Sequence, residues 1–221
     1  LRIIRMAHVL PTKACVHARG DFAALIAALK TPKNFIWDCR ALNADQRVGR
    51  KKGLFNFHYW ILRAIEYLIA KRAKKIIVIT SAAARIISER NAISIKKTHL
   101  IPTCVNLDKF NLKKEKTIGD KFLVTSSGTF GAGYDVELTS ELLKKLSKYV
   151  DFDLDLALSK GHTDFWTILN PRTTHFLNHD EMPDFINKSN LGLSIWKLNL
   201  GIASKSVAST KVAEYLACGK P

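Results

Sequence analysis

The sequence predicts an α/β protein made of two doubly wound domains, and two observations support this fold class. Short apolar runs rich in β-branched or aromatic residues alternate with segments whose apolar residues recur at helical spacing. The alternation occurs twice, in two series separated by a polar, lysine-rich stretch at residues 104–120 that reads as a linker. Alternating strands and helices imply parallel sheets with helices on both faces. We expect an N-terminal domain over residues 1–113 and a C-terminal domain over residues 114–221.

The first series contains short apolar strands and one long helix. The helix is predicted at residues 54–71, and Ser81 is expected to cap a further helix after the second strand. The apolar residues at helical spacing in the long helix are Ile61, Leu62, Ile65, Leu68 and Ile69. The predicted strands are residues 34–39, 75–80 and 99–102.

The second series repeats the pattern and ends on a helix that begins at Ser209. A glycine-rich turn at residues 128–133 follows its first strand. The predicted strands are residues 121–126, 152–158, 174–177 and 191–196, and the other predicted helices are residues 135–149, 162–169 and 184–188. In such sheets ligands bind beyond the carboxyl ends of the strands, so residues there carry the information about function.

Charge and cysteine usage constrain the partners and the compartment. Lys and Arg number 35 against 19 Asp and Glu, a formal charge of +16 that favours a polyanionic partner, either nucleic acid or an anionic membrane. Basic runs occur at residues 47–52 and 71–75. We expect them to help dock the protein on an anionic membrane surface, and the alternative is a solvated face. The four cysteines lack C-x-x-C spacing, which indicates free thiols in a reducing cytosol rather than a metal site or disulfide framework.

The last helix predicts an anion site. Ser209 suits the N-cap position, and Thr210 and Lys211 follow in the first turn, where backbone N–H groups and the helix dipole favour phosphate. Glu214 lies one turn further on the same face, where a carboxylate can accept hydrogen bonds from sugar hydroxyls. Phosphate beside a polyol suggests a nucleotide or a nucleotide sugar. The alternative is a surface helix on which Lys211 and Glu214 only pair with each other.

Several segments resemble family 4 glycosyltransferases of the GT-B fold. Residues 209–221, STKVAEYLACGKP, resemble that family's P-T-K-x-x-E-Y-x-A-x-G-x-P donor-site helix. Residues 101–110 resemble its I-P-x-x-V-D-x-x-x-F signature at the inter-domain linker. Residues 16–19 and 35–40 resemble its H-A-R segment and its strand ending in D-x-R, and residues 128–134 resemble the glycine-bearing turn of its C-terminal domain.

The resemblance implies two Rossmann-like domains of GT-B type that face a cleft, and retaining transfer of a sugar from a nucleotide-diphosphate-sugar donor. The acceptor would be a glycan or a lipid-linked acceptor in cell-surface polysaccharide or lipopolysaccharide synthesis, with no metal or other cofactor. The expected location is the cytoplasm, at the inner face of the plasma membrane. The resemblance also implies an internal fragment, with a strand and glycine loop missing before Leu1 and the end of the second domain missing after Pro221.

Site residues follow from the same resemblance. His17 and Glu214 are the candidate catalytic residues. Thr210 and Lys211 are expected to bind the phosphates, and Glu214 the ribose. The full set of expected substrate-binding residues is Gly131, Gly133, Ser206, Thr210, Lys211, Glu214, Arg19, Asp38 and Arg40.

Three departures from the family pattern bear on activity. Ser206 stands where the family often carries the first of two glutamates, and Asn106 replaces the linker aspartate. The turn at residues 128–134 lacks the Arg and Lys with which many members hold the pyrophosphate, and Lys211 is expected to supply that charge.

Two other function classes stay open on the sequence. The first is a catalytically inactive nucleotide-sugar-binding module, suggested by Ser206, and the second is a nucleic-acid-binding protein, suggested by the net charge. The second requires cations interleaved with exposed aromatics, and we expect no nucleic acid partner because Trp37, Phe122, Phe152 and Trp196 fall in predicted core strands.

The alternation of Asp151, Asp153 and Asp155 predicts the polar face of a strand rather than a metal-binding D-x-D motif. The histidine spacing does not predict zinc, and the glycine spacing at residues 128–133 does not predict a dinucleotide site.

Overall fold

The protein is described here by a computed structural model that covers residues 14–31, 34–48, 57–113, 121–128, 133–158, 167–197 and 202–221. The described chain divides into two compact units. The first contains the residues through Pro102 together with those from 202 to 208. The second contains the residues from 103 to 197 and from 209 to 221. The inclusion of residues 202–208 in the first unit is a feature that the sequence prediction did not contain.

Each unit has its own four-stranded parallel sheet, which confirms the predicted α/β class with two doubly wound halves. The first sheet has the order β1-β2-β3-β4, with β1 at Val16–Arg19, β2 at Phe35–Cys39, β3 at Lys75–Val78 and β4 at Thr98–Leu100. The second has the order β7-β6-β5-β8, with β5 at Phe122–Gly128, β6 at Phe152–Leu158, β7 at Thr173–His175 and β8 at Leu191–Leu193.

Eight α-helices lie in the described residues. In chain order they are α1 (Asp21–Lys30), α2 (Asn43–Val48), α3 (Phe57–Arg72), α4 (Ser81–Arg90), α5 (Val136–Leu146), α6 (Met182–Asn187), α7 (Ile202–Lys205) and α8 (Thr210–Ala217). Single 3₁₀ turns occur at Ile95–Lys97 and Thr167–Leu169. No helix in this described part is long and apolar enough to cross a membrane.

The structure corrects several predicted element boundaries. The N-cap of α4 is Thr80 and not Ser81, because the Thr80 hydroxyl accepts a hydrogen bond of 3.0 Å from the Ala83 amide. The strand predicted at residues 191–196 ends at Leu193, and Trp196 instead forms an isolated antiparallel bridge with Tyr134. The helix predicted at residues 162–169 is described only as the 3₁₀ turn at its end, since residues 162–166 lie outside the described residues.

The core of the first unit combines an apolar sheet with a buried ionic network. Trp37 and Ile76 of the sheet pack in one cluster with Ile69 of α3 and Ile87 of α4. Beside this cluster lies Glu66 of α3, which is 1% exposed. Its partners are Arg63 at 2.5 Å, Arg90 at 2.7 Å and Asn91 at 2.9 Å, and Arg90 also contacts Asp45 at 2.6 Å. Because the charges are paired, a carboxylate is tolerated in this interior.

The second unit buries the two faces of its sheet under separate clusters. Leu154, Leu156 and Val124 of the central strands pack in one cluster with Leu143 of α5. The other cluster joins Ala157 of β6 to α6 and α8, with members Phe110, Phe185, Ile186, Tyr215 and Cys218. The helix α8 is therefore anchored on the sheet through its Tyr215 side.

Candidate functional site

The helix α8 begins close to the carboxyl end of β5 in the second unit. Ser209 occupies the N-cap position with extended backbone angles, and its side chain makes no capping hydrogen bond. The backbone N–H groups of the first turn and the positive end of the helix dipole favour an anion at this end of α8. Thr210, the first helical residue, is exposed.

Lys211 lies against the end of β5. Its side chain is buried, its Nζ donates a hydrogen bond to the backbone carbonyl of Ser127, and Nζ lies 4.3 Å from the centroid of the Tyr134 ring. The approach requires glycine at position 128, because a Cβ there would lie 2.9 Å from Lys211 Nζ and the backbone has φ +128°. Burial lowers the pKa of Lys211 to about 7, and the charge of Glu214 opposes this shift.

Glu214 is buried on the same face of α8 as Lys211. Burial raises the pKa of the Glu214 carboxyl, while the nearby charges of His179 and Lys211 act in the opposite direction. The exposed residues of this helix include Val212 and Leu216, which are 43% and 67% exposed. Lys211 and Glu214 therefore do not form the solvated surface pair that the sequence left open as an alternative.

Aromatic side chains form one wall of this region. The rings of Tyr134 and Trp196 lie 4.6 Å apart at 34°, and the Lys197 amide donates to the carbonyl of Gly133 at 2.9 Å. Burial raises the pKa of Tyr134 to about 12, so this phenol stays neutral at physiological pH. These contacts hold the chain after the glycine turn beside Lys211. Gly131 lies outside the described residues.

Tyr215 supports the site from the interior. Its hydroxyl lies 3.2 Å from the Ser127 hydroxyl, and a Cβ at Gly192 would lie 2.4 Å from its ring. Burial raises the pKa of Tyr215 to about 12. The sequence indicated Lys211 and Glu214, but it did not indicate Ser127 or His179, because nothing in the local pattern marks them. The resulting arrangement offers a cation, a helix N-terminus and a carboxylate, a combination that suits a phosphate joined to a sugar diol.

A second polar cluster lies in the first unit, at the carboxyl ends of β1 and β2. The parallel register places Arg19 opposite Asp38. Buried Asp38 lies 3.4 Å from His17 Nε2 and 2.9 Å from Arg40 Nε, although the Arg40 N–H is not well aimed at the oxygen. The side chains of His17 and Arg40 are 58% and 38% exposed. The structure thus brings together four residues that the sequence placed in two separate segments.

Buried Asp21 follows this cluster at the first position of α1. Gly20, with φ +81°, precedes it and donates its amide to the Asp38 carbonyl at 3.0 Å. Burial raises the pKa of Asp21 to about 6. Nothing in the sequence singles out this residue, because an aspartate at a helix start is ordinarily a solvated one.

The structure describes the surroundings of Asn106 and Ser206, two positions at which the sequence departs from the family 4 pattern. Asn106 Oδ1 accepts a hydrogen bond of 2.9 Å from the Asp108 amide, and the Phe110 amide donates to the Asn106 carbonyl at 2.8 Å. An amide oxygen forms this turn as an aspartate would, so the replacement preserves the local structure. Ser206 is 1% exposed and belongs to the first unit.

The alternating aspartates of β6 are ion-paired. Arg172 contacts Asp155 at 2.6 Å and Asp153 at 2.7 Å, while Leu154 and Leu156 point into the core. Within the described ranges no group of three or more His, Cys, Asp or Glu side chains is arranged to hold a metal ion.

Comparison with known proteins identifies the fold. No protein-family profile matches the sequence, and no curated protein matches it. Among solved structures, sucrose-phosphate synthase from Thermosynechococcus elongatus aligns with 99% of this chain and 57% of its own, with 16% identity and a TM-score of 0.68. Anabaena HepE, solved in complex with UDP and glucose, aligns with 99% of this chain and 61% of its own, with 12% identity and a TM-score of 0.72.

A lipopolysaccharide outer core galactosyltransferase, WaaB, also aligns with 99% of this chain and 58% of its own, with 11% identity and a TM-score of 0.55. The chain therefore spans about three fifths of the length of these neighbours. Identities this low establish a shared fold and no more. The chain has the two-sheet, Rossmann-like fold of GT-B glycosyltransferases.

Proposed function

We propose that this protein is a glycosyltransferase that takes its sugar from a nucleotide-diphosphate donor. The observation that carries the proposal is the position of Lys211 and Glu214, both buried on one face of α8 beside the carboxyl end of β5. A structural neighbour, HepE, is solved with UDP, which supports the nucleotide-diphosphate part. We place phosphate on Lys211 and the first turn of α8, and ribose on Glu214.

The proposed chemistry is electrostatic. The leaving diphosphate gains charge in the transition state, and a buried cation with helix N–H donors stabilises that charge without a covalent nucleophile. The reaction in this proposal needs no metal and no other cofactor. The Tyr134 ring and the Ser127 carbonyl hold Lys211 Nζ in place, so this nitrogen is oriented before the donor binds.

We assign the acceptor side to His17, Arg19, Asp38 and Arg40. Asp38 is buried and contacts both His17 and Arg40, so it orients two side chains that reach solvent. A histidine held by a carboxylate can exchange a proton with a hydroxyl nucleophile. We further propose a glycan or lipid-linked acceptor, retention of anomeric configuration, membership of family 4, and a role in cell-surface polysaccharide or lipopolysaccharide synthesis on the cytoplasmic side.

Calorimetric titration of the full chain with UDP and UDP-sugars tests the donor site. Lys211→Met should weaken UDP binding by about tenfold to a hundredfold, because a charge-assisted hydrogen bond contributes roughly 1.5–3 kcal/mol. Glu214→Gln should weaken uridine and UDP binding but leave inorganic pyrophosphate binding unchanged. Val212→Ala is the matched control, since Val212 is exposed on the same helix. Equal UDP affinity in wild type and both site variants would show that α8 is structural.

A second candidate is a nucleotide-sugar-binding module without turnover. It is favoured by Ser206, which is buried where the family often has a glutamate. Both candidates predict the same binding result, so turnover must separate them. Release of UDP from the donor, measured with and without added acceptor glycans, supports the enzyme, whereas tight binding without UDP release supports the module.

A further inference from the structure

The solvent face of α3 is apolar, although this helix has a charged residue on its buried face. Its exposed apolar residues recur three or four positions apart and therefore share one side of the helix. Ala64 and the half-buried Leu68 extend the same side. The large apolar members are Phe57, Trp60, Ile61 and Tyr67, which are 78%, 52%, 40% and 50% exposed. We call this set the α3 face.

The buried network fixes the orientation of the α3 face. Glu66 lies on the opposite side of the helix, where it is bound by Arg63, Arg90 and Asn91. Rotating α3 to bury its aromatic side would carry Glu66 into solvent and leave the Arg90 guanidinium with one partner fewer. Leaving a buried charge unpaired is strongly unfavourable. The aromatic residues are therefore held outward by the structure.

Cations gather at the carboxyl end of α3. The Lys71 ammonium lies 5.3 Å from the centroid of the Tyr67 ring and donates to the Ala92 carbonyl at 2.8 Å. Lys97 donates to the carbonyls of Ala70 and Lys71 at 2.7 and 2.9 Å, so it adds positive charge at the helix end. Arg72, Lys74 and Lys75, at the end of α3 and just after it, are exposed, and so is Lys96, which precedes Lys97.

We propose that the α3 face docks on an anionic lipid bilayer, with the helix lying in the interface plane. Trp and Tyr favour the headgroup region, aliphatic side chains enter the acyl boundary, and Lys and Arg pair with anionic headgroups. A single-stranded nucleic acid would need cations interleaved with the aromatics. Here Ile61 and Ala64 separate the aromatics and the cations gather at one end, which favours a bilayer. The basic run at residues 47–52, expected from the sequence to contribute, has side chains outside the described residues.

Vesicle co-sedimentation of the full chain tests this surface. The probes are vesicles of phosphatidylcholine alone and of phosphatidylcholine with phosphatidylglycerol. Phe57→Ser with Trp60→Ser should lower binding to the anionic vesicles by at least tenfold, and Tyr149→Ser is the control because Tyr149 is 85% exposed in the second unit. Lys74→Glu with Lys75→Glu should lower binding by at least about 25-fold, since each cation near such a surface contributes roughly fivefold. Lys144→Glu with Lys148→Glu is the charge control.

Each outcome decides the proposal. Salt-sensitive binding to anionic vesicles that both α3-region variants lose and both controls keep would support it. Absent binding, equal binding to neutral and anionic vesicles, or binding unaffected by the serine variant would overturn it. A Trp60-dependent dimer in sedimentation analysis, or Trp60-dependent binding of a single-stranded oligonucleotide in place of vesicles, would also overturn it. Thermal unfolding of each variant establishes that it is folded. The assay contains no nucleotide, so its result is independent of the proposed donor chemistry.

Discussion

The buried ammonium of Lys211 should couple nucleotide binding to the uptake of a proton. With a pKa of about 7, Lys211 is protonated in only about a tenth of the molecules at pH 8. A bound diphosphate favours the charged form and raises the pKa toward its ordinary value. Because the terminal phosphate of UDP is already ionised at pH 8, about 0.9 proton should be taken up for each UDP bound.

The affinity for UDP should fall as the pH rises above the pKa of Lys211. Above the pKa of Lys211 in the unliganded protein, UDP binding requires protonation of a neutral amine. The free-energy cost of that protonation rises with each pH unit, so UDP affinity should fall roughly tenfold per unit from pH 8 upward. Calorimetry at pH 8 in Tris and in HEPES measures the uptake, because the apparent binding enthalpy then differs by the proton number times the difference in buffer ionisation enthalpy. Lys211→Met should abolish the buffer dependence, and Lys148→Met, which removes an exposed cation, should preserve it. Equal enthalpies in the two buffers for the wild type would refute this reasoning.

Three further predictions concern stability, each measured by urea unfolding. Asp21→Asn should raise the free energy of unfolding at pH 8 by about 3 kcal/mol and leave it unchanged at pH 3. The Asp21 pKa rises from 3.8 to about 6 on folding, so the buried carboxyl is tolerated while it is protonated and destabilises the fold as the pH rises through that range. An equal effect at both pH values would contradict this. Thr80→Ala should cost about 1 kcal/mol through loss of the cap of α4, whereas Ser81→Ala should be nearly neutral, and the reverse order would contradict the cap assignment. Gly192→Ala should lower the free energy of unfolding by about 1–3 kcal/mol, because the new Cβ would lie 2.4 Å from the buried Tyr215 ring. Unchanged stability would show that this ring relaxes freely.

The features that could be predicted from the sequence are those set by residues that lie close together along the chain. The existence of α8 and the shared face of Lys211 and Glu214 follow from helical spacing, and the strand pattern predicted two parallel sheets. The burial of Lys211 could not be predicted in the same way. Its contacts at Ser127 and Tyr134 come from the end of β5 and the turn after it, far from α8 in the chain.

The α3 helix shows why local periodicity fails where a tertiary network competes with it. Helical spacing groups Ile61 with Leu62 and Ile69, which are buried, yet Ile61 is 40% exposed and Glu66 is buried. Arg90, which binds Glu66, lies 24 residues away on α4, and Asn91 lies 25 residues away. No window along α3 contains these ionic partners. Thr80 and Ser81 differ for a simpler reason: both are good N-caps, and only the backbone geometry selects between them.

The composition of the first unit has a consequence for biosynthesis. Its helix α7, at Ile202–Lys205, packs against α2 at Asn43–Val48, so the unit includes residues made long after its sheet. A nascent chain that ends before residue 202 therefore lacks the segment that covers α2. During translation the contact between α7 and α2 must wait for nearly the whole second unit to leave the ribosome, and closing so long a loop adds an entropic cost that grows slowly with its length. The docking of α7 on α2 is thus a late step in the biosynthesis of the N-terminal half.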